Sequence, residues 1–226
     1  ANRLGTASNL AAQAIAFAVY LRRSKRFESL RLFAHFEKPH WPVMRGLLAT
    51  GLPIGVTVLM EGSLFIVTAL LIGRLGGVEA AAHQIAINVA SLCFMIPFGL
   101  AEATTVRVGH ALGRGDRDGL RRAAFAGFAL MFATQAVSGV LLLFGNHALA
   151  GLYTADTAVA TLAGTLLLYA AAFQFPDGVQ VLSAGALRGL RDTRRPMLLA
   201  ALAYWGVGMP LGAGLGLGLG WGPQGM

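Results

Sequence analysis

The sequence is short of charge and cysteine, and it lacks the residue pairings that enzymes use. Of its 226 residues, 12% are charged and 56% hydrophobic, with a mean hydropathy of +0.64. One soluble core of this length cannot bury that much apolar surface. The single cysteine, Cys93, excludes an internal disulfide framework and any multi-cysteine metal site. The five histidines are scattered singly, with no HExxH or metal-ligand pair, so no zinc site is expected. Neither GxSxG nor a Ser-His-Asp set is present, and no enzyme is expected. The glycine-rich run GAGLGLGLG at 212–220 has neither the preceding strand nor the downstream acid of a nucleotide loop, so close helix packing is its expected role. The RGD at 114–116 reads as chance.

What is present is a series of long apolar runs. Crossing ~30 Å of hydrocarbon takes about 20 residues. Five strong runs lie near 46–72, 80–106, 122–145, 157–187 and 196–220, after a weaker one at 3–21. The expected fold class is therefore an all-α polytopic membrane protein. No signal peptide is visible and the chain opens without methionine, so it reads as an excerpt that begins inside a helix.

Charge distribution sets the orientation. Seven basic residues lie between the first two runs, five follow the third and four follow the fifth, whereas the alternate connections carry only Arg74. Sixteen of 18 basic residues thus fall on one side, which the positive-inside rule makes cytoplasmic. The net charge of +8 follows from this topology, and no nucleic-acid partner is expected. Residues 27–45 mix aromatic and basic side chains and are expected to lie amphipathically on the inner leaflet.

The polar residues inside the runs carry the functional reading. Thr50, Thr57, Glu61 and Thr68 project within about 40° of one another on a helix. A lipid-facing glutamate costs several kcal/mol, so this stripe should face a helix interface or a wet cavity. In the third run Gln84, Asn88 and Ser91 share a face, with Glu102 in phase if the helix continues past Pro97. In the fifth, Asp177 follows Pro176, whose missing N–H frees the carbonyl of Ala172. Gln174 and Gln180 add oxygens nearby, a set suited to a proton or a hard cation. Counted from the cytoplasmic ends, Glu61 and Asp177 both lie roughly 15–22 Å deep. Pro53, Pro97, Pro176 and Gly178 are candidate hinges, because substrate carriers bend helices around midplane polar groups.

Two segments carry a resemblance. GLPIGVTVLMEGSLFIVTALLIGRLGGVEAAAHQIAINVASLCFMIPFGLAEATTVRVGHALGRGD and FQFPDGVQVLSAGALRGLRDTRRPM resemble the C-terminal half of multidrug and toxic compound extrusion (MATE) transporters of the NorM-like branch. The resemblance implies that residues 1–21 end the sixth of twelve helices and that 22–45 form a basic cytoplasmic linker between lobes. Residues 46–226 would then form the C-terminal lobe, helices seven to eleven, with the final helix missing.

It also implies antiport of drugs or toxic organic cations against Na⁺ or H⁺ in a bacterial inner membrane. The protein would be a monomer, with no cofactor and no metal beyond Na⁺ at Glu61 and Asp177. The family's cation-site residues match Glu61, Asp177, Gln84 and, for some members, Asp156. Thr57, Thr68, Asn88, Ser91, Phe173 and Gln174 are expected to line the cavity. Phe173 stands where some members have a tyrosine, and a phenyl ring has no oxygen to offer a cation. A related flippase for lipid-linked precursors or oligosaccharides is the alternative reading.

Overall fold

The computed structural model describes residues 2–24 and 40–225. Two compact units divide the chain, residues 1–46 and 47–226. In the first, α1 (Asn2–Arg23) ends on Arg22 and Arg23, favourable partners for a helix C-terminus. The expected leaflet-bound stretch falls mostly on residues outside those described.

The remaining helices are α2 (Trp41–Gly73), α3 (Gly77–Gly113), α4 (Arg117–Tyr153), α5 (Thr157–Gly189) and a last span, Arg194–Gly218. Among the described residues these five are long and apolar enough to cross a membrane, so the protein is a multi-pass membrane protein. Pro53, Pro97 and Pro176 all sit inside continuous helices. The last span is interrupted instead. It runs as α6 (Arg194–Ala200), a π-helical stretch Ala201–Gly208, α7 (Met209–Ala213) and a second π-helical stretch Gly214–Gly218. Pro210 accounts for the first interruption: its ring cannot accept the carbonyl one turn back, and a wider turn relieves the clash. Met209 accordingly donates to the carbonyl of Tyr204, five residues earlier.

Aspartates start three of these helices. Asp116 accepts from the Gly119 N–H at 2.7 Å, Asp156 from Ala158 at 2.9 Å, and Asp192 from Arg195 at 3.2 Å. The RGD tripeptide is thereby explained as a turn. Arg114 ends α3, Gly115 takes the left-handed φ of 68° that glycine tolerates, and Asp116 caps α4.

Helix α3 packs most extensively on α5, with α4 against both. Its closest approach uses glycine. The Thr105 hydroxyl bonds the Gly185 carbonyl at 2.8 Å, and a Cβ at Gly185 would stand 2.6 Å from the Ala101 carbonyl oxygen. Two apolar clusters fill this bundle. One joins Ala82, Val89, Leu142 and Leu167; the other joins Ala101, Met131 and Leu182. Between them along α4 and α5 lies a buried amide layer. Gln135 donates to the Gln174 carbonyl at 2.7 Å, and Ser138 donates to the Gln174 side chain at 2.8 Å. Burial without those bonds would cost about 1–3 kcal/mol for each stranded group.

Candidate functional site

Glu61 on α2 and Asp177 on α5 stand in the wall shared by two cavities. The smaller, about 100 Å³, runs toward the arginine-bearing end of α5 and is lined by Thr57, Phe98, Gln180, Arg188 and Thr193 among others. It is termed the inner cavity, after the side that the charge distribution assigns to the cytoplasm. The larger, about 680 Å³, runs the other way past Phe65, His83, Ser91, Tyr169, Phe173 and Gln174. Phe94 borders both. The two carboxylates lie within coulombic range of one another, and Glu61 lies within range of Arg188. Arg188 itself pairs with Glu102 of α3 at 2.9 Å.

The last span adds a phenol. Tyr204 accepts a hydrogen bond from the Gln180 side chain and lies in range of both carboxylates. Next to it, the Trp205 indole donates to the carbonyl of Met60 at 3.3 Å, one residue before Glu61. The π-helical stretch Ala201–Gly208 therefore delivers two consecutive side chains to the neighbourhood of Glu61.

Six of the ten residues expected from sequence at the cation site or its cavity line these cavities, and four do not. Thr57 lines the smaller one, its hydroxyl bonded back to the Pro53 carbonyl at 2.9 Å. Ser91, Phe173 and Gln174 line the larger, as does Ala172, the residue whose carbonyl Pro176 frees. Thr68, Gln84 and Asn88 line neither, and the last two are exposed. On α3 the cavity-facing arc is centred on Ile87 and Phe94 and takes in His83; Gln84 and Asn88 lie at its edge and beyond. Asp156 caps α5 twenty-one residues before Asp177, about 31 Å along the helix, and is not brought to the carboxylates. Pro53 and Pro97 are buried, Pro176 is exposed, and Gly178 is pressed against Met131 and Gln135 of α4.

Sequence reasoning misses three contributors. Tyr204 is findable by depth, since it lies about 15 Å into its span, level with Glu61 and Asp177. Arg188 reads in the sequence as one more cytoplasmic charge. His83 lies off the polar face of its helix.

The family model MatE matches residues 53–213, which contain both carboxylates and all the cavity walls apart from the final turn. The chain belongs to the MatE family. It is 71% identical over its whole length to a probable multidrug resistance protein NorM of Xanthomonas campestris, and it covers 50% of that protein. Over 95% of its length it is 59% identical to the protein of the same name in Xylella fastidiosa, covering 46% of it. The chain thus spans about half the length of the curated relatives it matches. Among solved structures it resembles the eukaryotic MATE transporter AtDTX14, with a TM-score of 0.85 at 19% identity over 94% of this chain and 47% of that one. An outward-facing multidrug resistance MATE transporter of the MOP superfamily aligns with a TM-score of 0.74 at 20% identity, over 80% and 40%. These likenesses establish the MATE fold for the chain.

Proposed function

We propose that this chain is the cation-binding half of a multidrug efflux antiporter of the bacterial inner membrane, exporting organic cations in exchange for Na⁺ or H⁺. The observation that carries this is the position of Glu61 and Asp177, on different helices, in the one wall common to an inner and an outer cavity. A cation held there is reachable from either side, with Thr57 and Gln180 lining the cavity on one side of the carboxylates and Ala172 and Gln174 the cavity on the other. The multidrug resistance names of the NorM relatives support drugs as the exported solute.

The energetics suffice. One charge moving down 100 mV releases about 2.3 kcal/mol, enough for roughly fifty-fold concentration of an exported solute. That energy performs transport only if cation occupancy favours one conformation of the carrier over another. The test is efflux of a fluorescent cationic dye from drug-sensitive bacteria expressing a full-length transporter that carries this chain. Wild type should export dye when a Na⁺ or proton gradient is supplied, and Glu61→Gln at matched protein level should not. Equal export by both would remove Glu61 from the coupling site, and export by neither would favour the flippase reading.

A further inference from the structure

Among the described residues, Arg188 is the one basic side chain that lines the inner cavity, and that cavity also holds Glu61 and Asp177. It is held from two directions. Its guanidinium bonds Glu102 of α3 at 2.9 Å, and its Nε donates to the Ala184 carbonyl one turn back at 3.4 Å. The side chain is 21% exposed and Glu102 50%, so the pair sits at the cavity's wet end with the arginine the deeper partner. Glu61 lies within coulombic range of it. Arginine stays charged in any protein environment, so the inner cavity always contains one fixed positive charge.

We propose that Arg188 is a resident competitor of the coupling cation, held short of the carboxylates by Glu102, and that it sets how readily the cation is released toward the cytoplasm. The inference rests on the coupling-site reading above. A positive charge facing Glu61 from the cytoplasmic side disfavours a second one on the carboxylate pair, so an ion arriving from the outer cavity is bound less tightly and leaves more easily. The same charge resists return of the coupling cation to the carboxylates from the cytoplasmic side. Glu102 counters both effects by drawing the guanidinium's charge toward α3. The two residues should therefore act on cation affinity in opposite directions. A salt bridge that merely joined α3 to α5 would make its two deletions alike.

The experiment uses a purified full-length transporter carrying this chain, titrated calorimetrically with NaCl and, separately, for proton uptake on acidification. The cation whose binding is lost in Glu61→Gln is then followed through Arg188→Gln, Arg188→Lys, Glu102→Gln and the double variant. Arg188→Gln should bind it about fivefold or more tightly, and Glu102→Gln more weakly by a similar factor. The double variant should match Arg188→Gln, because Glu102 acts only through the arginine. Arg188→Lys, which keeps the charge, should stay near wild type, and Arg188→Ala supplies the charge-free comparison with Glu102→Gln if Arg188→Gln does not fold. If the Arg188 and Glu102 variants weaken binding equally, or leave it unchanged, Arg188 is a strut and the inference fails while the coupling site stands. If Glu61→Gln loses binding of neither cation, the coupling-site reading fails first and the inference with it.

Discussion

Replacing Gly185 by alanine should loosen the α3–α5 interface. The added methyl would stand 2.6 Å from the Ala101 carbonyl oxygen and 3.1 Å from that residue's carbonyl carbon and Cβ. Two of those atoms are helix backbone and cannot swing aside. Ordinary contact begins near 3.4 Å, so the helices must separate locally by about 0.8 Å. The same movement stretches the Thr105 hydroxyl's bond to the Gly185 carbonyl from 2.8 Å to about 3.6 Å, beyond hydrogen-bond length. Overpacking of this kind costs about 1–3 kcal/mol, and an interhelical bond in a membrane adds about 0.6 kcal/mol. Alanine's better helix propensity returns up to about 1 kcal/mol. The net expectation is a loss of about 2 kcal/mol.

Two other glycines serve as controls. At Gly51 and Gly55 nothing lies within 4 Å of the position an added methyl would take, so alanine there should be neutral or stabilising by up to about 1 kcal/mol. Unfolding of the purified full-length transporter in mixed micelles of mild detergent and dodecyl sulfate ranks the variants. Gly185→Ala should unfold at distinctly lower dodecyl sulfate fraction than Gly51→Ala. Equal midpoints would mean that α3 and α5 do not approach as closely as 2.6 Å implies, and the packing argument would be refuted.

Asp156→Ala removes the acceptor for two α5 amides and should cost about 1 kcal/mol in the same unfolding assay. Dye efflux per folded molecule should be retained, because the residue lies far from the carboxylates; a loss of coupling would return it to the cation site. Tyr204→Phe deletes the hydroxyl that Gln180 bonds while keeping the ring. Cation affinity should fall about threefold, the equivalent of one membrane hydrogen bond, with little change in unfolding midpoint. An unchanged titration would show that the phenol does not support the site.

The five strong spans, and the placing of Glu61 and Asp177 inside two of them, are legible in the sequence because hydropathy acts residue by residue and bilayer thickness sets the length of run to look for. Which way a polar residue faces is a different quantity. It depends on the azimuth at which neighbouring helices pack, and the pattern on α3 is ambiguous. Gln84, Asn88 and Ser91 share a face, but of the three only Ser91 reaches the larger cavity, beside His83, Ile87 and Phe94, while Gln84 and Asn88 are exposed.

The stripe on α2 behaves differently, with Thr57 and Glu61 lining the inner cavity as their shared face implies. Tyr204 escapes for a different reason. A π-helical turn shifts the phase of everything beyond it, so no periodicity taken at 3.6 residues per turn could place it. The same turn has a consequence for the site. Phe173 on α5 lines the larger cavity without an oxygen, whereas Tyr204 brings a hydroxyl into range of both carboxylates from the last span. The phenol in range of both Glu61 and Asp177 thus comes from the last span, reached only through its π-helical phase.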